Sequence, residues 1–285
     1  MRSSNPVFTR SEEFNRTTAA PVASDPSTWQ VGQPTQTDGY GTPGGGGYDT
    51  PTGTADRMTI DSVVMRTAIT LFLVFASAAV TWFMLGDVLA DEAALGRAFA
   101  FATGGAIIGF VLAMVNSFKK VISPALVMAY AVVEGVFVGA LSKVLSSYVG
   151  DATIVAQAVL GTVAAFAGTL FVYKFFNIQV TPKFRRGVTA ALFGFVAVLL
   201  LNWILSFFNA DFGLRDFSTL GLLVSGVAVL LGVLCLILDF DFVEKGVAAG
   251  LPERESWRAA FGLTVTLIWL YIEILRILAI LRGDN

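Results

Sequence analysis

Acidic side chains adjoin or enter long apolar stretches at four points of this chain. Asp239 and Asp241 directly follow one apolar run, and Glu134 and Glu273 lie inside two others. A charge at membrane depth is costly, so an ionisable residue there is a candidate functional site by default. Carboxylates from several helices are also the oxygen ligands that a hard cation such as calcium prefers, although spacing alone does not separate calcium from sodium or a proton. The pattern predicts an integral membrane protein that passes or senses a cation.

The depths of these side chains follow from the helical rise of about 1.5 Å per residue. Counted from Val121 and Ala259, where their runs begin, Glu134 and Glu273 each lie roughly 20 Å into the membrane. Two acids on different helices would then share one depth and could share a proton or a cation. Thr266, one heptad before Glu273, lies on nearly the same helix face at about 10 Å. With the two aspartates at the inner mouth, these residues predict a polar ladder to mid-membrane.

Simpler explanations compete with this functional one. Arg276 follows Glu273 by three residues, a spacing at which two side chains on one helix can form a purely structural ion pair. Asp239 and Asp241 could mark the membrane interface and begin a solvated loop. Glu134 has no such local partner. No firm metal site is predicted, and Asp239 and Asp241 are the possible calcium ligands.

The composition excludes several classes of function. The residues are 55% hydrophobic and only 14% charged, with a mean hydropathy of +0.72, which indicates a membrane protein. A net charge of −2 leaves no basic stripe for a nucleic-acid partner. The absence of histidine removes Ser-His-Asp and Cys-His catalysis and leaves proton sensing to carboxylates. Ser117 and Lys120 match S-x-x-K without a supporting motif, so neither an enzyme nor a cofactor is predicted, calcium being at most a permeant ion.

The elements that must position these residues are seven apolar runs. Each is near the roughly 20 residues that cross a bilayer as a helix, so the predicted fold class is all-α, a seven-helix membrane bundle over residues 59–285. Residues 1–58 are rich in Gly, Ser, Thr and Pro and are predicted to be a disordered tail. Two pairs of glycines four residues apart, in runs two and three, predict close helix packing. The runs are 67–86, 97–118, 121–143, 152–174, 187–208, 217–238 and 259–281.

The charges between the runs predict an orientation. With the N-terminus in the cytoplasm, fourteen of the 19 Lys and Arg residues fall on the inner side and five on the outer side. The positive-inside rule therefore predicts a cytoplasmic N-terminus and, if all seven runs span, an external C-terminus.

Three stretches carry a resemblance to a known family. Residues 236–242, 269–278 and 124–139, with Glu134 and Gly135, resemble the Bax inhibitor-1-like family, also called transmembrane Bax inhibitor motif proteins, whose bacterial members are YccA-like. The resemblance covers about residues 60–281 and leaves the N-terminal tail outside. It implies six helices around a central seventh, in the plasma (inner) membrane of a bacterium. It also implies a pH-sensitive calcium leak, controlled by one aspartate ending helix six and another on helix seven.

The family's functional positions fall on named residues of this chain. Asp239, with Asp241 as the near alternative, matches the helix-six aspartate by its place after the apolar triplet 236–238. The helix-seven aspartate falls at Thr266, which departs from the family's carboxylate pair. A basic residue near the start of helix three latches the closed pore in the family, and Lys119 or Lys120 occupies that region.

Two functions of different classes follow as hypotheses. The leading one is a calcium leak channel or transporter, with its gate at the helix-six aspartates, deeper sites at Glu134 and Glu273, and a latch at Lys119 or Lys120. The alternative is a non-conducting regulator that binds other membrane proteins, such as a protease or a stress-response component. In both, the lipid bilayer is the immediate partner.

Overall fold

Seven long helices make up the part of the chain that the computed structural model describes, residues 57–88, 91–208, 210 and 212–283. All seven are long and apolar enough to cross a membrane. Their 23–30 residues correspond to about 35–45 Å, against a hydrocarbon core of about 30 Å. The predicted seven-helix membrane fold is confirmed. The helices are α1 (Ile60–Leu85), α2 (Glu92–Phe118), α3 (Pro124–Val149), α4 (Thr153–Phe175), α5 (Pro182–Ser206), α6 (Thr219–Ala248) and α7 (Glu255–Gly283).

The last helix is the centre of the bundle. It packs against α1, α3, α4 and α6, and Trp269 stacks with Phe195 of α5 at 6.3 Å between ring centroids. In its most apolar stretch of 18 residues, 67% are buried, compared with at most 44% in any other helix. This confirms the central position that the family resemblance implies for helix seven.

The helices extend beyond the apolar runs at both ends of the bundle. We call the end where α1, α3, α5 and α7 begin the near end, and the opposite end, where α7 finishes, the far end. α1, α5 and α7 begin at residues 60, 182 and 255, ahead of runs predicted from 67, 187 and 259, while α6 continues to Ala248. Hydropathy ends at the first charges, whereas a helix longer than the hydrocarbon core continues past them. Asp239 and Asp241 therefore lie within α6, and neither the predicted helix end nor a solvated loop is found there.

The start of α1 is fixed to the connector between α6 and α7. Thr59 and Ser62 form a capping box, each side-chain oxygen accepting from the other residue's backbone N–H at 3.1 Å. Just before it, Met58 is 2% exposed and its N–H donates to the carbonyl of Leu251 at 2.7 Å. Of the predicted tail 1–58, only Arg57 and Met58 belong to the described residues, and the rest of that prediction lies outside them.

The predicted close packing at small residues is found between α3 and its neighbours. A Cβ at Gly135 would lie 2.4 Å from the carbonyl oxygen of Val74, and one at Gly139 would lie 2.5 Å from that of Ala78. In α2, a Cβ at Gly105 would lie 3.1 Å from the backbone of Phe137. These glycines let α1 and α2 approach the backbone of α3, and this contact fixes the side chains that α3 turns inward.

Candidate functional site

Two contacts set the depth of Glu134 relative to α7. The ring of Tyr130 meets Phe261 edge-on at 5.1 Å, and the hydroxyls of Ser142 and Tyr271 lie 2.6 Å apart, so the two helices run parallel. Glu134 is one turn beyond Tyr130 and is therefore level with about residue 265 of α7.

The prediction that Glu134 and Glu273 share one depth is wrong. Glu134 lies 10 residues beyond the start of α3 and Glu273 lies 18 residues beyond the start of α7. The difference of 8 residues corresponds to about 12 Å along the bundle. The error arose because α3 begins later, and α7 earlier, than the apolar runs indicated.

Asp239 occupies the same depth as Glu134, on the other side of α7. The hydroxyl of Thr266 donates to Oδ2 of Asp239 at 2.7 Å, and it also lies 3.1 Å from the carbonyl oxygen of Gly262. Gly262 leaves room for the carboxylate, because a Cβ there would lie 3.3 Å from Oδ1 of Asp239. The structure thus brings together the two positions that the resemblance assigns to the family's aspartate pair, with threonine in the second place.

Glu134 lies where α3 faces α2. A Cβ at Gly109 would lie 2.4 Å from its Oε2, so the carboxylate occupies space that only a glycine leaves open. The side chain is half-buried, as is that of Asp239. Among the described residues, neither carboxylate forms an ion pair with a lysine or an arginine.

Asp241 lies nearer the end of α6 and is surrounded by cations. It is only 4% exposed, and it accepts from Nη2 of Arg185 at 2.6 Å and from Nζ of Lys245 at 2.7 Å and 2.8 Å. Side chains two residues apart on a helix point to different faces, so Asp241 and Asp239 do not form one set of ligands. The two possible calcium ligands are therefore separate sites.

The basic residues expected to latch the gate lie elsewhere. The side chains of Lys119 and Lys120 are exposed at the end of α2. The N–H of Lys119 donates to Val115, and the carbonyl of Lys120 accepts from Nη2 of Arg258 at 2.9 Å. The cations that hold Asp241 come from α5 and α6 instead.

Glu273 is held by the connector that precedes α6. Its Oε1 accepts from Nη1 of Arg215 at 2.7 Å, and the guanidinium of Arg276 donates to the carbonyl of Arg215. The structure therefore pairs Glu273 with Arg215, whereas the sequence predicted Arg276. Glu273 is 4% exposed, and neither its Oε2 nor Nε of Arg276 has a hydrogen-bond partner among the described residues.

The sequence did not predict the two arginines that pair with the buried acids. Arg185 and Arg215 lie 56 and 58 residues from the acids they bind, so no local spacing links them. The sequence offered one signal only. Each arginine adjoins an apolar run, and an acid in a neighbouring run needs a partner.

The four acids thus follow one order along the bundle. Asp241 lies towards the near end and Glu273 towards the far end, each with a cation, while Asp239 and Glu134 lie between them and have no basic partner among the described residues. No group of three or more acidic or cysteine side chains gathers around one point within the described ranges. Such an arrangement can offer single carboxylates, on two sides of α7, to a moving cation or proton.

The comparisons with known proteins agree with the fold. No curated protein matches this sequence. The sequence model of the family described as Bax inhibitor 1 like matches residues 5–283. The match includes most of the N-terminal segment, which the resemblance noted above was expected to leave out. Because it covers nearly the whole length, the chain belongs to the Bax inhibitor 1 like family.

Proposed function

We propose that this protein is a membrane cation leak, with calcium as its permeant ion, in which Asp239 and Glu134 form the middle of the path. One observation carries the proposal: two carboxylates that have no basic partner in the described part of the chain lie at one depth beside the central helix. A charged side chain at the centre of a membrane helix costs about 2.5–3.5 kcal/mol. A transient cation would offset that cost.

The oxygen atoms near Asp239 suit a hard cation. Its carboxylate, the hydroxyl of Thr266 and the carbonyl of Gly262 are all oxygen donors, the ligand type that calcium takes. Membership of the family supports the choice of calcium over sodium, since the resemblance implies a calcium leak. In this proposal the site is a point of passage and not a resident metal centre.

The ion pairs towards the two ends act as closures. At the near end Asp241 holds Arg185 and Lys245, and at the far end Glu273 holds Arg215. A cation entering from either side meets these basic groups first and is repelled until they move. Protons modulate the flux through the same carboxylates, because a protonated Asp239 or Glu134 no longer attracts the ion.

The orientation is part of the proposal. The near end faces the cytoplasm of a bacterium and the far end faces outward across the plasma membrane. The support is the charge asymmetry of the sequence, fourteen basic residues against five.

Calcium flux into proteoliposomes that contain the purified full chain tests the proposal. We expect flux above that of empty liposomes, with less at pH 6 than at pH 8. Asp239→Asn should lower the flux roughly tenfold, and adding Glu134→Gln should bring it to background, because both changes remove the charge that attracts the ion. Asp61→Asn, which neutralises an exposed carboxylate at the start of α1, is the matched control and should leave the flux unchanged.

Absence of flux at both pH values would overturn conduction and leave the non-conducting regulator. That alternative needs an exposed small-residue or apolar helix face for a partner. Gly105, Gly109, Gly135 and Gly139 face other helices of the same chain, whereas Gly187 and Gly194 of α5 are exposed and have no atom of another helix within 4 Å of an added Cβ. Capture of membrane proteins on the inactive chain would test the regulator.

A further inference from the structure

A long groove runs between α1 and α4. The two helices form its walls and do not pack against each other within the described residues, while α7 and the far part of α3 form its floor. Its volume is about 680 Å³. The floor residues Leu263, Leu267 and Ile268 of the central helix are 5%, 9% and 5% exposed.

The groove extends through the depth of a membrane. On α1 it is lined from Val63 to Trp82, which is about 29 Å at the helical rise, close to the thickness of the hydrocarbon core. Phe75 and Phe83 lie along its rim and are exposed. The groove therefore opens sideways towards the acyl chains of the bilayer.

The lining suits a hydrocarbon and not a polar ligand. The hydroxyls of Ser142 and Tyr271 are bonded to each other, and that of Thr162 donates to the carbonyl of Ala158 at 2.8 Å. The remaining hydroxyl, that of Thr67, is buried beneath the surface and has no partner among the described residues. A ligand in the groove would meet almost only carbon.

The shape of the groove suits a lipid chain. Its volume of about 680 Å³ extends over about 29 Å along α1, and the groove is open on one side. A single extended hydrocarbon chain is the membrane component that can follow it through the depth of the bilayer.

The far end of the groove carries a cation. Trp82 lines the groove there, and Nζ of Lys143 lies 4.6 Å from the centre of its ring. Lys143 has no carboxylate partner among the described residues. Tryptophan and lysine are the usual residues at the level of lipid headgroups. A phosphate above the groove would therefore meet an available ammonium group.

From its depth, shape, lining and charge, we propose that the groove between α1 and α4 is a phospholipid site. One acyl chain of a lipid from the far-end leaflet lies against α7, and its phosphate lies beside Lys143. This site lies on the α1 and α4 side of the central helix, whereas Asp239 lies on its α6 side, so the proposal does not depend on cation flux.

The test uses the purified full chain in detergent with one equivalent of phosphatidylglycerol that carries a photoreactive diazirine in its acyl chain. We expect adducts concentrated on peptides from α1 and α4. Ala68→Trp places an indole in the groove and should reduce these adducts roughly tenfold, because an overfilled slot has no room for the chain. The matched control is Ala190→Trp in α5, which is equally exposed, lies eight residues from its helix start as Ala68 does, and does not line the groove.

Three results would decide against the site. Adducts spread evenly over all seven helices, or adducts unchanged by Ala68→Trp, would mean non-specific lipid contact. Loss of these adducts as the protein concentration is raised would mean that a second copy of the chain occupies the groove. If Ala68→Trp fails to fold, Val163→Trp fills the groove from the α4 wall and gives the same comparison. Lys143→Gln should weaken labelling by the phospholipid but not by an uncharged diacylglycerol with the same diazirine, and equal loss of both would exclude the phosphate contact.

Discussion

The carboxylates in the middle of this bundle differ from those towards its ends in one respect, the presence of a cation. Asp241 and Glu273 are both 4% exposed and are held by arginine or lysine at 2.6–2.8 Å. Asp239 and Glu134 are half-buried and, among the described residues, have no basic partner. The more buried acids are thus the neutralised ones, which is the order that electrostatics requires.

This difference separates the acids that stabilise the fold from the acids that need a functional explanation. An ion pair between distant segments fixes the fold, and it does so here between α5 and α6 and between a connector and α7. A carboxylate left without a cation does not stabilise the fold and so needs another reason to be present. The experiments below test this distinction, in order of decreasing expected effect on stability or flux.

The largest loss of stability is expected from Arg215→Ala. It leaves the buried carboxylate of Glu273 with no cation bound to it, and breaking a buried pair in this way costs about 3–5 kcal/mol. Thermal unfolding of the detergent-purified protein measures the loss. The double change Arg215→Ala with Glu273→Gln should recover most of it, because the buried carboxylate that Arg215 neutralised is then uncharged. If Arg215→Ala alone were as stable as the parent protein, the ion pair of Glu273 would not stabilise the fold.

At the near end the loss should depend on how many cations are removed. Asp241 has two, so Arg185→Ala or Lys245→Ala alone leaves it paired and should cost about 1 kcal/mol or less, since both bases are largely exposed. Removing both together should cost more than the sum of the single changes. The same unfolding assay measures this coupling, and strictly additive losses would show that the two bases do not share Asp241.

A smaller effect, on flux and not on stability, is expected when the missing carboxylate is restored. Thr266→Asp places an acid 27 residues along the chain from Asp239 but within hydrogen-bond distance of it. Two adjacent carboxylates cannot readily both ionise, so they hold one proton between them over a range of pH. The ratio of calcium flux at pH 8 to flux at pH 6 should therefore increase. Thr266→Ser keeps the hydroxyl and is the control, and an unchanged ratio in Thr266→Asp would argue against a role for this position in pH response.

The sequence was sufficient for the fold and insufficient for the pairing of charges. Run length and hydropathy predicted seven helices, and the family resemblance selected Asp239 and Thr266, two positions that the structure brings into contact. The predicted depths failed because α7 begins before its apolar run and α3 begins after the start of its own. The partners of Asp241 and Glu273 could not be deduced, since contacts over 56 and 58 residues depend on how the helices associate.

The smallest effect is expected from Gly109→Ala, which tests how strictly the position of Glu134 is set. The added methyl group would lie 2.4 Å from Oε2 of Glu134 but 3.6 Å from its Cδ, so only the mobile end of that side chain must move. Stability should therefore change by less than about 1 kcal/mol, with a modest loss of calcium flux. Gly135→Ala is the contrasting variant, because its methyl group would meet the carbonyl oxygen of Val74, which is backbone and cannot turn aside. It should lower stability far more. If Gly109→Ala alone reduced the flux as much as Glu134→Gln does, with stability intact, the exact place of the unpaired carboxylate would matter as much as its charge.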